Sequence, residues 1–163
     1  MQIEKAKNIY MIGIKGVGMT MLAQFLARQG KTVSGSDTTE KFMTDKVLKK
    51  ERIKVIEEFA VSNIPAQADV IIYSTAYNKR INIEVDAAFK SGKKIMAYAE
   101  ALGEIFNYKY GIGVIGTHGK TTTAAWLGYV LDKAGKQPNV MVGAQVPQFN
   151  GNILFGYSDY LVA

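Results

Sequence analysis

Apolar positions along this chain fall into short runs of strand length, separated by stretches in which they recur every three or four residues. The runs at residues 8–14, 32–36, 54–56, 69–73 and 94–97 predict β-strands, and the periodic stretches at 19–29, 44–51, 84–91 and 100–106 predict helices. Such alternation is the signature of βαβ units around a parallel sheet, so the expected class is α/β, beginning with a Rossmann-like domain. Gly30 and Gly92 follow directly on two of the predicted helices, where glycine takes the left-handed cap conformation.

A second unit starts after Asn107. A strand is expected at 110–115, a tight loop at 116–120 and a helix at 121–134 stopped by Gly135, followed by strands at 140–142 and 160–162. The division this predicts is a Rossmann-like domain over 1–107 and the beginning of a P-loop α/β domain over 108–163. One phosphate-loop unit with two short strands is thin for an open parallel sheet, which normally carries helices on both faces. The apolar run that stops at Ala163 therefore reads as a truncation.

With 163 residues, 48% of them hydrophobic, the chain has material for one ordinary core and the start of another. Its apolar runs fall well short of the roughly 20 residues a membrane span needs. The first residues lack the layout of a signal peptide and there is no cysteine, so a cytoplasmic protein without disulfides is the simplest expectation. The net charge of +6 is scattered among acids rather than gathered with aromatics, which speaks against a nucleic-acid partner. A solvated surface accounts for that charge, and a polyanionic small ligand such as a nucleotide fits it equally well.

Candidate chemistry begins at Gly13, Lys15, Gly16, Val17, Gly18 and Met19, between the first strand and the first helix. Glycines there let backbone amides approach an anion at a helix amino terminus, although a turn that needs glycine only for packing explains them too. Ser36 and Asp37 end the second strand about 20 residues on, where dinucleotide folds place an acid against ribose hydroxyls. The alternative for Asp37 is a helix cap. The stretch Ser74, Thr75, Ala76, Tyr77 at the end of the fourth strand supplies hydroxyls at the carboxyl edge of the sheet, where ligands bind in such folds, or forms a plain turn.

The stretch Gly116, Thr117, His118, Gly119, Lys120, Thr121, Thr122 carries a stronger signal. Its glycines turn amides toward a triphosphate, Lys120 reaches the β and γ phosphates, and Thr121 ligates magnesium. It is two residues shorter than the general phosphate-loop pattern, which points to a specialised subclass.

This stretch resembles the ATP loop of the Mur ligases. A histidine in its third place is typical of the branch that joins L-alanine to UDP-N-acetylmuramate, and of a close relative, the murein tripeptide ligases of wall recycling. The first glycine loop, the segment 35–37, Ser74 to Ala76, Ala99-Glu100 and the closing 159–163 resemble the same branch, so the likeness spans nearly the whole chain. Two departures stand out: Lys15 occupies a usual glycine, and Ile83 a usual proline. Lys15 either adds a cation beside a diphosphate or points to solvent.

The resemblance implies a ligase that phosphorylates a substrate carboxylate with ATP and magnesium, whose acyl phosphate an amino acid then attacks. It implies UDP-N-acetylmuramate and L-alanine as small-molecule substrates, with no nucleic acid or membrane partner. Lys120 and Thr121 take catalytic roles, residues 116–122 hold ATP, and the segments around Gly13, Ser36 and Ser74 hold the uridine nucleotide. His118 either contacts phosphate or orients the loop. The family continues past the position of Ala163 with a magnesium-binding glutamate, so these 163 residues alone are expected to be inactive. Two further readings stay open: a non-catalytic nucleotide-binding module, and an NAD-dependent oxidoreductase, which leaves residues 116–122 unexplained.

Overall fold

Five strands, β1 (Asn8–Ile12), β2 (Thr32–Ser36), β3 (Lys54–Ile56), β4 (Val70–Tyr73) and β5 (Lys94–Ala97), build a sheet in the order β3-β2-β1-β4-β5, with every pairing parallel. The structure is a computed structural model that describes residues 2–163. The crossovers are α1 (Val17–Arg28), α2 (Thr44–Lys50) and α3 (Ile83–Lys90), and α4 (Tyr98–Tyr108) follows β5. By its internal contacts the chain divides into two compact units, Met1–Leu102 and Gly103–Ala163.

The central strand explains its own position. Ile9 to Ile12 are all buried, as expected for a parallel strand covered on both faces. Tyr10 and Ile12 pack with Ile71, Val85 and Ala88, while α1 is buried all round from Met19 to Leu26, as a largely apolar helix should be. Gly35 is needed because a side chain there would run into the carbonyl of Met11 on the neighbouring strand. Asn82 caps α3, its side chain accepting hydrogen bonds from the amides of Glu84 and Val85.

The second unit holds β6 (Tyr110–Ile112), α5 (Lys120–Lys133), β7 (Asn139–Val146), β8 (Gly151–Leu154) and β9 (Tyr160–Val162), in the sheet order β6-β9-β7-β8. Pairings of β6 with β9 and of β9 with β7 are parallel, whereas β7 and β8 form an antiparallel hairpin. This sheet is fuller than the pattern predicts. β7 runs on to Val146, and β8 is a strand with no counterpart in the sequence reading. Helix α5 lies directly on β7, since a side chain at Gly128 would meet the Val140 methyls at 2.5 Å.

Candidate functional site

In the first unit the strand order reverses between β1 and β4, and the loops that leave β2, β1 and β4 emerge side by side at the carboxyl edge of the sheet. Open α/β sheets bind ligands in such a crevice. The three segments selected from the sequence meet there. The amides of Gly13 and Ile14 donate to the Ser36 carbonyl at 2.9 and 3.2 Å, and the Ser74 amide donates to the Ile12 carbonyl at 2.9 Å. Gly13 has a φ of 80°, and a side chain on it would stand 2.7 Å from the Tyr77 ring and 2.8 Å from Ser74 Cβ. Both conformation and space therefore demand glycine.

Gly16 and Val17 are exposed at the start of α1, and Gly18 faces the Tyr98 ring, which would lie 3.0 Å from an added Cβ. Helix α1 has no side-chain cap and no acid in its first turn, so its leading amides are open to an anion. Met19 is buried and serves packing. Thr75 and Ala76 are exposed beside the crevice, and Ser74 Oγ accepts from the Ala76 amide at 3.3 Å.

The polar side chains at this edge are engaged with the chain itself. Asp37 is buried and accepts from the Lys15 amide at 2.7 Å, the Thr38 amide at 2.8 Å and the Tyr77 hydroxyl at 3.2 Å. It caps no helix and ties together the loops after β1, β2 and β4. Burial, and then the charge of Asp37, push the Tyr77 phenol up to about 12, which keeps its proton available for that bond. Ser36 is fully buried and its hydroxyl donates to Glu84 of α3. The same Glu84 carboxyl group accepts from Tyr10 Oη at 3.3 Å, the Ala60 amide at 3.0 Å and Asn63 Nδ2 at 2.7 Å. Only main-chain groups of Ser36 line the edge.

Lys15 departs from both expectations for it. Its side chain neither faces the crevice as a free cation nor reaches solvent: it is 1% exposed, with Nζ 2.9 Å from each of the Thr38 carbonyl, the Glu40 carbonyl and Glu57 Oε1. Asp45 Oδ1 lies 3.4 Å away. Burial pulls the ammonium's pKa down, but the bonds to Glu57 and Asp45 outweigh it and hold the value above that of an ordinary lysine.

In the second unit, residues 116–119 link β6 and its extension to α5, and residues 115–123 are all exposed. Gly116 and Gly119 have φ of 151° and 74°, which turn the backbone so that α5 opens with neither a side-chain cap nor an acid in its first turn. Lys120 Nζ folds back onto the loop, donating to the Gly116 carbonyl at 2.6 Å and the Thr117 carbonyl at 3.3 Å. Thr117, His118 and Thr122 are exposed around it, as is the Thr121 hydroxyl in the first helical turn. The arrangement suits a phosphate chain: open amides, one exposed cation and exposed hydroxyls. Among the described residues there is no group of three or more His, Asp or Glu able to hold a metal.

A model of the Mur ligase family, catalytic domain, matches residues 8–110. The chain belongs to the Mur ligase family. A UDP-N-acetylmuramate–L-alanine ligase of Borreliella afzelii is 39% identical over 164 residues, covering 98% of this chain and 35% of the relative. Among solved structures, the UDP-N-acetylmuramate-alanine ligase of Thermotoga maritima is 26% identical with a TM-score of 0.82, covering 95% of this chain and 36% of that one. The UDP-N-acetylmuramate:L-alanyl-gamma-D-glutamyl-meso-diaminopimelate ligase of Neisseria meningitides is 28% identical with a TM-score of 0.84, covering 96% and 51%. The chain thus spans about a third of the length of the curated relatives it matches. Its α/β fold, with a Rossmann-like first unit, is that of the family.

Tyr77, Glu84 and Glu57 hold this region together. Tyr77 belongs to the hydroxyl-bearing stretch after the fourth strand, and its hydroxyl serves Asp37; Glu84 and Glu57 were not among the sequence candidates. Nothing local marks Glu84 or Glu57.

Proposed function

We propose that residues 1–163 carry the uridine-nucleotide site and the ATP loop of a ligase that joins L-alanine to UDP-N-acetylmuramate. In this reading residues 1–107 form the uridine-nucleotide domain and 108–163 begin the ATP-binding domain. ATP phosphorylates the muramoyl carboxylate, the amine of L-alanine attacks the resulting acyl phosphate, and amide, ADP and phosphate leave. The observation that carries the proposal is the pairing, in one family member, of a switch-point crevice built on Gly13 with the short loop Gly116 to Thr121. A histidine at 118 and the 39% identity to a relative of that name favour this branch over the murein tripeptide ligases. A cytoplasmic location belongs to the proposal; among the described residues no helix is long and apolar enough to cross a membrane.

Each residue then has a task. Amides at the start of α1, presented by Gly16 to Gly18, receive the diphosphate of the uridine nucleotide, and the exposed Thr75 and Ala76 border it. Amides of His118 to Thr121 hold the β-phosphate of ATP, while Lys120 neutralises charge developing on the transferred phosphoryl group. Thr121 is the chain's own ligand for magnesium. The metal supplies charge neutralisation at the phosphates.

Calorimetric titration with UDP-N-acetylmuramate and with NAD tests the first site. Binding of the uridine nucleotide with NAD at least about tenfold weaker, a difference of about 1.4 kcal/mol, is the expected result. Tighter binding of NAD would sink the assignment.

A further inference from the structure

Between β2 and α2 the chain runs irregularly through residues 37–43, and from Thr39 to Met43 it is exposed. Its main chain is anchored at one end by the Asp37 amide, which donates to the Ile56 carbonyl at 3.0 Å, and at the other by the start of α2. Between those ends lies the Lys15 ammonium. An ammonium has three hydrogens. The three bonds of 2.9 Å to the Thr38 carbonyl, the Glu40 carbonyl and Glu57 Oε1 account for all of them. The Thr44 hydroxyl adds a bond of 2.5 Å to the Lys15 carbonyl, the Lys15 amide bonds Asp37, and the Phe42 ring centroid lies 5.8 Å from Nζ. Asp45 is shared as well, since its other oxygen accepts from the Phe42 amide at 2.9 Å.

We propose that Lys15 is a positioning residue that acts on the chain rather than on the ligand, clamping segment 38–45 against the glycine loop and so fixing one wall of the nucleotide site. The bonding fits no simpler role. A lysine held to bind a diphosphate would keep hydrogens free for it, and a lysine kept for solubility would not be 1% exposed. Two of its three partners are main-chain carbonyls of a segment without regular structure, which is what fixing a loop requires, and Lys41 of that segment joins the same Glu57 at 2.9 Å. The consequence for the ligand is indirect: a wall already in place spares the nucleotide the entropy of ordering it. That last step rests on the reading of the first unit as a uridine-nucleotide site.

Lys15→Met keeps an unbranched apolar stem, one atom shorter, and removes the ammonium. In ligand-free protein, chymotrypsin should cut after Phe42 at least about tenfold faster in this variant than in the unchanged chain, because cleavage follows the population of the open loop. A second variant, Thr44→Val, leaves Lys15 in place and removes one bond from the same clamp, and a smaller acceleration, about threefold, is expected. Affinity for UDP-N-acetylmuramate should fall about tenfold in the methionine variant, with the salt dependence of binding unchanged. Equal cleavage rates in the unchanged chain and in both variants would overturn the clamp. So would a loss of affinity in the methionine variant that vanishes at high salt while the loop stays protected, since that is the behaviour of a cation on the phosphate. If the unchanged protein does not bind the nucleotide at all, the site reading fails while the cleavage comparison still decides the clamp.

Discussion

Lys120→Ala in the full-length protein is expected to lower ligation by at least about a hundredfold while leaving affinity for UDP-N-acetylmuramate within about twofold. Removing one preorganised stabiliser of transition-state charge costs roughly 3 to 4 kcal/mol of barrier in other enzymes, which is a factor of hundreds in rate. Nothing in its surroundings supplies a substitute. Lys120 is the cation of the loop, its amine bonded only to the neutral carbonyls of Gly116 and Thr117, and the remaining loop side chains are hydroxyls and His118. Steady-state phosphate release with saturating ATP, muramoyl nucleotide and L-alanine measures the loss, and calorimetry on the same variant measures the uridine site. A variant that keeps more than about a tenth of normal turnover would remove Lys120 from the mechanism, because so small a change lies below the worth of one such stabiliser.

The loop from 116 to 120 between strand and helix was legible in the sequence because its geometry is local. Glycine at 116 and 119 sets the backbone and Lys120 follows within the same turn, so spacing alone carries the geometry. The parallel sheet was legible for a similar reason: its strands are short, apolar and punctuated, and β2, β3, β5 and β9 fall on the predicted residues. Ladder geometry trimmed the first strand, which stops at Ile12 because Gly13 turns with φ of 80°. The hairpin of β7 and β8 closes through residues 147–150, a short 3-10 turn followed by Asn150 in the left-handed conformation with φ of 53°, and so lacks the two-residue turn that sequence marks most clearly.

The polar residues of the first site were harder, because their partners are distant in sequence. Asp37 in a dinucleotide fold suggests a ribose acceptor, yet here its oxygens accept from Lys15 and Tyr77, 22 and 40 residues away. Lys15 suggests a phosphate ligand by its place in a glycine loop, but Glu57, 42 residues on, is where its charge is answered. Position along a motif predicts which backbone is near the ligand. It does not predict which side chains the fold has already engaged.

Glu84 is the extreme case, and its removal is expected to have the largest effect on stability in the first unit. Its carboxyl group is fully buried and accepts from four donors on three separate stretches: Tyr10 on β1, Ser36 at the end of β2, and the Ala60 amide and Asn63 side chain around the short 3-10 turn at Val61–Asn63. No cation takes part in these bonds, so the cost of burial is offset by hydrogen bonds alone. Glu84→Ala leaves those donors facing a void. At roughly 1 to 3 kcal/mol for each donor that water cannot reach, and with water entering to satisfy some, a loss of about 4 kcal/mol is expected. Glu84→Gln should lose about 1 kcal/mol, because the amide keeps the shape, its oxygen can face Ala60 and Asn63, and its NH2 can donate to the two hydroxyls once they rotate. Native-state amide exchange at Met11 and Ile72, in the buried centre of β1 and β4, reads the opening free energy of this unit directly. Domains of this size commonly have only about 5 to 15 kcal/mol in hand, so the alanine variant should exchange several hundredfold faster at those amides and the glutamine variant only a few-fold faster. Equal, small effects from the two substitutions would mean that the four bonds contribute little, and Ser36 would then be held at the sheet edge by its strand pairing alone.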